Sequence, residues 1–376
     1  MSKKKKKLRV SFRKNRQART RESGFTRKFE QHGFEDDDSI RREQLSGKGE
    51  LAKKRTVVGE EVTGDTSGFT VLPEVDLENC LSGRVLEVRG LVSVVQTSDG
   101  QRYNCALRRL LKTLKTDQRH VVAVGDEVQF RPDGEEGLIE RIEPRSGVLS
   151  RSSRDRQHVL VANVEKMVIV ASAAEPDLKP HLIDRFLVAA EQAQIDPVIC
   201  INKVDLVEPG SLQPLVGVYS QMGYEVLQLS AVSGLNLPIL CDTLQDCASV
   251  VVGQSGVGKS SLLNVVEPGL GLRIGSVSRE TQKGRHTTTT ARLIELSTGG
   301  FIVDTPGIRQ FALWDVVREE VAGLFRDIRP FVGYCRFPDC THTHEADCAV
   351  KASVADGRLD ARRYESYCHM RRDGDA

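Results

Sequence analysis

A strand-like run, Ser249–Val252, opens directly into Gly253-Gln254-Ser255-Gly256-Val257-Gly258-Lys259-Ser260-Ser261, and a helix-compatible SSLLNVV follows. This G-x4-G-K-S loop constrains the fold more than any other stretch, because it works only between a strand and the N-terminus of a helix. The glycines let backbone N–H groups turn inward around phosphate oxygens, and the helix start adds partial positive charge. Lys259 is suited to neutralise β- and γ-phosphate charge, and the Ser260 hydroxyl to ligate Mg²⁺. The loop predicts a nucleoside triphosphate site on an α/β sheet.

The base is read elsewhere. Asn202-Lys203-Val204-Asp205 ends the strand-like PVICI, the place where open α/β sheets put their ligand crevice. The Asp205 carboxylate can accept from guanine N1–H and the N2 amine together, and Asn202 can address the other edge. Adenine lacks the N2 donor, and a carboxylate left unpaired under a base penalises it. The Lys203 stem suits the base plane. Ser230-Ala231, after EVLQL, fits the companion loop whose backbone amide meets guanine O6.

Asp304-Thr305-Pro306-Gly307 follows the strand-like GFIV. Asp304 is expected to hold Mg²⁺ through water, and the Gly307 N–H to sense the γ-phosphate. Between this motif and the phosphate loop lies GRHTTTTAR, residues 284–292. From it Thr288, or otherwise Thr287, is expected to close on Mg²⁺ and γ-phosphate. Conventional GTPases run phosphate loop, switch Thr, D-x-x-G, N-K-x-D, S-A; here the base-reading pair comes first, so the motifs are complete but circularly permuted. Permutation is tolerated where termini lie close together at the surface. The residue after D-x-x-G is Ile308, where many GTPases place a water-orienting Gln. A slow intrinsic rate follows, and His286 is the internal candidate to assist.

The rest of the chain supplies the frame. KMVIVASA, PVICINKVD, EVLQLSA, ASVVVGQ and GFIVDTPG alternate with amphipathic stretches such as HLIDRFLVAAEQAQ, which predicts a doubly wound sheet. Before it, GRVLEVRG, LVSVVQT, QRYNCALRR, VVAVGDEVQF and GLIERIEPR read as five short strands separated by turn pairs such as Asp99-Gly100 and Asp133-Gly134. That spacing predicts a small barrel of the OB type or the SH3-like type. Tyr103 and Phe130 are its only aromatics, so RNA stacking there is weakly supported.

A formal net charge of +2 conceals a segregation. Residues 1–28 hold 13 Lys/Arg against one acid, Glu22, for a net of +12. Residues 1–60 net +10, which leaves about −8 on the remaining body. Residues 1–79 have no sustained apolar period and are expected to be a disordered arm. A nucleic-acid-binding role outweighs that of a solubilising tail, because such a segment gains from releasing phosphate counterions. No apolar run approaches a membrane span, and no apolar stretch follows the N-terminal lysines as in a secretory signal.

Nine cysteines are too few, and odd in number, for a disulfide scaffold. YCRFPDCTHTHEADC instead holds Cys335, Cys340 and Cys348 with His342 or His344. Three thiolates and an imidazole suit a closed, structural Zn²⁺ site whose binding supplies folding energy to a short segment. After it, GRLDARRYESYCHMRR interleaves Arg358, Arg362, Arg363, Arg371 and Arg372 with Tyr364 and Tyr367; an RNA-contacting helix and a solvated helix fit it equally.

N-K-V-D, G-Q-S-G-V-G-K-S-S, G-R-H-T-T-T, D-T-P-G and C-x4-C-x-H-x5-C together resemble the ribosome small-subunit-dependent GTPase A family, over about residues 80–370. The resemblance implies a multidomain fold: an N-terminal OB-fold β-barrel, a central α/β circularly permuted P-loop GTPase and a mainly α zinc-binding domain. The boundaries read 1–79 for the arm, 80–147, 148–322 and 323–376. It selects His342 as the fourth zinc ligand and matches His286 to the family's hydrolytic histidine, acting with Lys259 and Thr288. The sparse cysteines with one metal cluster suit a reducing cytoplasm, and a monomer is expected, with GTP and Mg²⁺ as nucleotide and cofactor. The partner implied by the resemblance is the small ribosomal subunit with its rRNA, and that subunit stimulates GTP hydrolysis during late maturation. The alternative is an RNA-binding assembly scaffold whose nucleotide site is only a slow switch.

Overall fold

The computed structural model describes residues 6–11, 54–61, 71–73, 75–108, 110–111, 121–153, 156–271, 291–304 and 318–372. Within the arm, β1 (Lys6–Ser11), β2 (Lys54–Glu61) and β3 (Val71–Pro73) pair antiparallel in the order β1-β2-β3. These segments depart from the expectation of a disordered arm. Each is short, β1 and β2 mix Val, Leu and Thr with Lys and Arg, and the partners of β1 come from across residues 12–53, a pairing that local periodicity does not register.

The five expected barrel strands are present as β4 (Leu81–Arg89), β5 (Val92–Gln96), β6 (Arg102–Leu107), β7 (Glu127–Asp133) and β8 (Glu136–Ile142). They run β4-β5-β6-β8-β7 and close through β4–β7, with β6 and β8 parallel. A closed five-stranded barrel with that crossover is the OB arrangement, which decides against the SH3-like alternative. Val85, Val95, Cys105, Val128, Phe130 and Ile139 fill it. Tyr103 and Phe130 pack against each other with ring centroids 5.0 Å apart. Both are buried, so neither offers a face to RNA.

The chain then makes a hairpin, β9 (Leu149–Ser153) and β10 (Arg156–Val161), which the sequence reading did not anticipate. The α/β domain follows: β11 (Lys166–Ser172), α1 (Pro180–Ala193), β12 (Asp196–Asn202), α2 (Gln213–Gln221), β13 (Glu225–Gln228), α3 (Leu237–Leu244), β14 (Ala248–Val252), α4 (Lys259–Val266), β15 (Arg292–Glu295) and β16 (Phe301–Asp304). The order is β13-β12-β11-β14-β16-β15, parallel except for β15. Strand periodicity divides β11 between two cores: Met167 and Ile169 pack with Ile183, Leu187 and Ile199, whereas Val168 and Val170 pack with Val198, Leu240 and Leu262. β15 also pairs with β4 through Arg292 and Glu87, joining barrel and α/β sheet into one continuous sheet.

A buried ion pair holds the junction. Arg145 and Asp126 have fully buried side chains and meet through two bonds, Nε–Oδ1 at 2.6 Å and Nη2–Oδ2 at 2.7 Å. Arg145 Nη2 also donates to the Val121 carbonyl, and Asp126 accepts from the Ala123 N–H. Such a pair stabilises less by attraction than by the cost of leaving either charge alone.

The C-terminal lobe comprises α5 (Val321–Leu324), α6 (Arg329–Val332), α7 (Ala349–Ala355) and α8 (Ala361–Arg372). Phe325, Ile328, Val350, Leu359, Tyr367 and Met370 form its core, and Val188 of α1 belongs to the same cluster. Arg363 on α8 is buried between Asp184 of α1 at 2.6 Å and Asp327 at 2.9 Å. Tyr364 and Tyr367 spend their hydroxyls on the carbonyls of His342 and Thr341, each at 2.7 Å. The inner face of α8 is thus lobe core, which removes Arg363 and Tyr367 from an RNA-contacting stripe. Among the described residues no helix is long and apolar enough to cross a membrane.

Candidate functional site

The parallel sheet sends the C-terminal ends of its strands to one edge, and the chemistry collects there. β11 sits between β12 and β14. Asn202 ends β12, Ser230-Ala231 follows β13, and the phosphate loop leaves β14. Residues separated by dozens of positions therefore flank one crevice, as open α/β sheets require.

The loop 253–258 is glycine-dependent. Gly253, Gly256 and Gly258 have φ of 141°, 85° and 96°, values that L side chains rarely adopt. At Gly258 an added Cβ would stand 2.3 Å from Asn202 Nδ2, and at Gly253 2.1 Å from the Val170 carbonyl oxygen. Lys259, the first residue of α4, donates to the carbonyls of Gly253 and Gln254 at 2.7 and 2.6 Å. Its ammonium is thus stored across the mouth of the loop, against oxygens that a phosphate can replace.

Asn202, expected to address the base, also joins loops of the protein. It is 1% exposed; its Nδ2 donates to the Val257 carbonyl at 2.9 Å and its Oδ1 accepts from the Ala231 N–H at 3.3 Å. The side chain is a strut between the base loops and the phosphate loop. Lys203 adopts a left-handed conformation, φ 60°, and its Nζ donates to the Gly256 carbonyl at 2.9 Å and to the Glu175 carbonyl. Its stem thereby crosses from the base-reading turn to the phosphate loop. Val204 is buried, whereas Asp205 is exposed and open to a ligand. Ser230 is fully buried, accepts the Ser233 N–H at 3.0 Å and shapes the companion turn. The Ala231 N–H, expected to meet guanine O6, points to Asn202 here. Ser255, Ser260 and Ser261 lie in and just after the loop, within reach of its mouth by position.

His286, Thr287, Thr288, Gly307 and Ile308 lie outside the described residues, and Asp304 is described only as the backbone end of β16. An expected result follows for the loop. Gly258→Ala should displace Asn202, sever the strut and weaken GTP binding at least tenfold, since each buried polar group left unpaired costs about 1–3 kcal/mol. Nucleotide titration checks this, and wild-type affinity in the variant would show the strut to be dispensable.

Cys335, Cys340, His342 and Cys348 converge in the C-terminal lobe, with all four ligand atoms within 4.8 Å of one another. Cys335 Sγ and Cys348 Sγ are 3.8 Å apart, and they stand 3.3 and 3.5 Å from His342 Nδ1. A tetrahedral ion with Zn–S of about 2.3 Å and Zn–N of about 2.0 Å implies edges of about 3.8 and 3.5 Å. The donor set fits that ion. Burial and the two neighbouring thiols push the Cys340 thiol up to about 12, and burial holds His342 below its usual value. Without a cation beside it, the Cys340 thiol stays protonated. His344, the rival ligand, has an 81% exposed side chain and lies outside the cluster.

Comparison with known proteins agrees with this architecture. The model of the RsgA GTPase family matches residues 142–314. The small ribosomal subunit biogenesis GTPase RsgA of Chlorobaculum parvum is 38% identical over 304 residues, covering 77% of this chain and 97% of that protein. The protein of the same name from Pseudomonas aeruginosa strain LESB58 is 40% identical over 295 residues, 77% of this chain and 84% of that one. Among solved structures, YjeQ from Thermotoga maritima superposes with a TM-score of 0.65 at 33% identity, over 78% of this chain and 97% of that chain. YloQ, described as a circularly permuted GTPase, gives a TM-score of 0.62 at 30% identity, over 79% and 96%.

Proposed function

Because the chain belongs to the RsgA GTPase family and is a GTPase of small ribosomal subunit biogenesis, we propose that the described crevice binds GTP and that contact with the small subunit drives its hydrolysis in late maturation. The observation that carries this reading is the strut through Asn202, which ties the base-reading turn, the companion loop and the phosphate loop into one rigid unit. Asp205 reads the guanine N1–H and N2 donors. The Lys203 stem covers the base, and Lys259 leaves its two carbonyls for phosphate oxygens. Backbone N–H groups of residues 253–261 then stabilise charge that grows on the phosphates as water attacks in line.

Ser260 and Thr288, with Asp304 through water, are the residues to hold Mg²⁺, which supplies charge neutralisation on the β- and γ-phosphates when bound. Thr287 is the alternative switch ligand. Cys335, Cys340, His342 and Cys348 hold one structural Zn²⁺; four protein ligands leave no open position for catalysis. With Ile308 unable to orient water, His286 places the nucleophile when the subunit is bound. The rRNA of the subunit is the contacted surface, the protein acts as a monomer, and its compartment is the cytoplasm.

Measuring GTP hydrolysis with and without purified small subunits tests this directly. Stimulation of at least tenfold is expected. His286→Ala should retain GTP binding while losing about 10²–10⁴-fold of the stimulated rate. Absence of stimulation would sink the ribosome-activated enzyme in favour of a slow binding switch, and full stimulated turnover in His286→Ala would remove that residue from the mechanism.

A further inference from the structure

At the end of the α/β sheet remote from the nucleotide crevice, the barrel and the sheet frame an open cavity of about 510 Å³. Glu165 just before β11, Asp246 just before β14 and Phe301 at the start of β16 wall it on one side, all at the N-terminal ends of parallel strands. Arg84, Gln96 and Glu127 of the barrel wall it on the other, and Glu295 ends β15 between them. The seam that joins barrel to α/β sheet thus leaves a space of the size that small ligands fill. None of these residues takes part in the nucleotide site.

Five carboxylates line the cavity, those of Glu127, Glu143, Glu165, Asp246 and Glu295, against one lining cation, Arg84. Arg84 lies 3.2 Å from Glu127 and 5.3 Å from the centre of the Phe301 ring. Arg141 holds Glu143 at 2.5 Å, and Arg102 reaches Glu295 at 3.6 Å. Glu165 accepts the Ala248 N–H at 3.3 Å, and among the described residues no ion pair reaches Glu165 or Asp246. Carboxylates alone would be an ordinary solvated rim; Gln96 adds a demand of its own. It is 7% exposed, its Nε2 donates to Glu295 Oε2 at 3.0 Å, and its Oε1 is buried without a hydrogen-bond partner. A buried acceptor of this kind calls for a donor, and the cavity that Gln96 lines is where one can arrive. The group wanted is therefore a cation that carries N–H. A single metal ion does not answer to this, since among the described residues only the Cys335, Cys340, His342 and Cys348 atoms converge as a metal requires. Carboxylates spread around the space, with Phe301 and Val128 between them, suit ammonium groups separated by methylenes. We propose that this cavity binds a linear aliphatic polyamine. One ammonium meets Gln96 Oε1 and Glu295, another lies by Glu165 and Asp246, and the ligand clasps the barrel to the α/β domain.

Calorimetric titration of the full-length protein with spermidine, free of nucleotide and RNA, tests this at about 50 mM salt, where screening of surface charge is weak. One saturable site is expected. Glu165→Gln/Asp246→Asn, isosteric at two exposed positions, should weaken it about tenfold. Gln96→Leu, which removes the buried acceptor, should also weaken it about tenfold. Asp133→Asn/Glu136→Gln, at the exposed turn between β7 and β8, changes the net charge by the same amount as the first variant and should keep wild-type affinity. Far-UV circular dichroism shows whether each variant is folded, and the isosteric pair decides the matter even if Gln96→Leu is not. Binding to wild-type protein that does not saturate at one equivalent would overturn the proposal and leave a diffuse acidic surface. Equal weakening in the turn variant, or none in the isosteric pair, would overturn it as well. Displacement of spermidine by equimolar Mg²⁺ would assign the carboxylates to a metal, and tighter binding of trilysine than of spermidine would assign the cavity to a basic protein segment; either result refutes a polyamine site.

Discussion

Cys348→Ala should unfold the C-terminal lobe while leaving the α/β domain folded. Cys348 is 4% exposed and contacts both Cys335 and His342, so its loss removes a ligand from the centre of the cluster. The lobe's own helices are short, α5 and α6 having four residues each, and too short to stand without tertiary support. Structural Zn²⁺ contributes an apparent 10–16 kcal/mol, roughly, to small domains at neutral pH, far more than this core can replace. Hydrogen exchange should show α7 and α8 losing protection while β11, β12 and β14 keep theirs. Loss of protection should extend to the middle of α1, because Val188 packs in the lobe and Asp184 faces Arg363. Zinc affinity should fall as pH falls, because the thiols must give up their protons to bind. Retained protection of α8 in a zinc-free protein would refute a metal-dependent lobe.

Asp205→Asn should exchange the base preference. Two charge-assisted hydrogen bonds to guanine are lost, at about 1.5–3 kcal/mol each, so GTP affinity should drop by about 10²–10⁴-fold. An Asn amide donates where the carboxylate accepted, which suits a base bearing a carbonyl at C2. Xanthosine triphosphate should therefore bind the variant better than GTP does. The exposed position of Asp205, unlike that of the buried strut residue Asn202, makes this a change in recognition rather than in folding. Competition titration with both nucleotides is the measurement. Unchanged GTP preference would place base reading on another residue.

Much of this site was legible beforehand because its chemistry is local. The residues from Gly253 to Ser261 carry their own turn geometry, and Asn202–Asp205 carry their own donors and acceptors. The strut role of Asn202 was not legible, for a physical reason. An amide side chain has both donors and an acceptor, and only the arrival of Val257 and Ala231 on either side decides whether it faces ligand or backbone. The same holds for α8: the alternation of Arg and Tyr suited an outward face until Asp184, from a helix far earlier in the chain, claimed Arg363.

By itself the sequence determined the doubly wound α/β class, the five-stranded barrel, the N-K-V-D and G-x4-G-K-S loops with their permuted order, and the cysteine cluster. Each of these is written in short-range spacing, where backbone geometry and residue chemistry act over a few positions. Tertiary structure alone decided the Asp126–Arg145 junction and the shared core between α1 and the C-terminal lobe, and it bore out the OB crossover through β6 and β8 and the grouping of His342, not His344, with the three cysteines. Those outcomes depend on which distant groups arrive within a few ångströms of each other. Close packing sets that, and no local pattern encodes it.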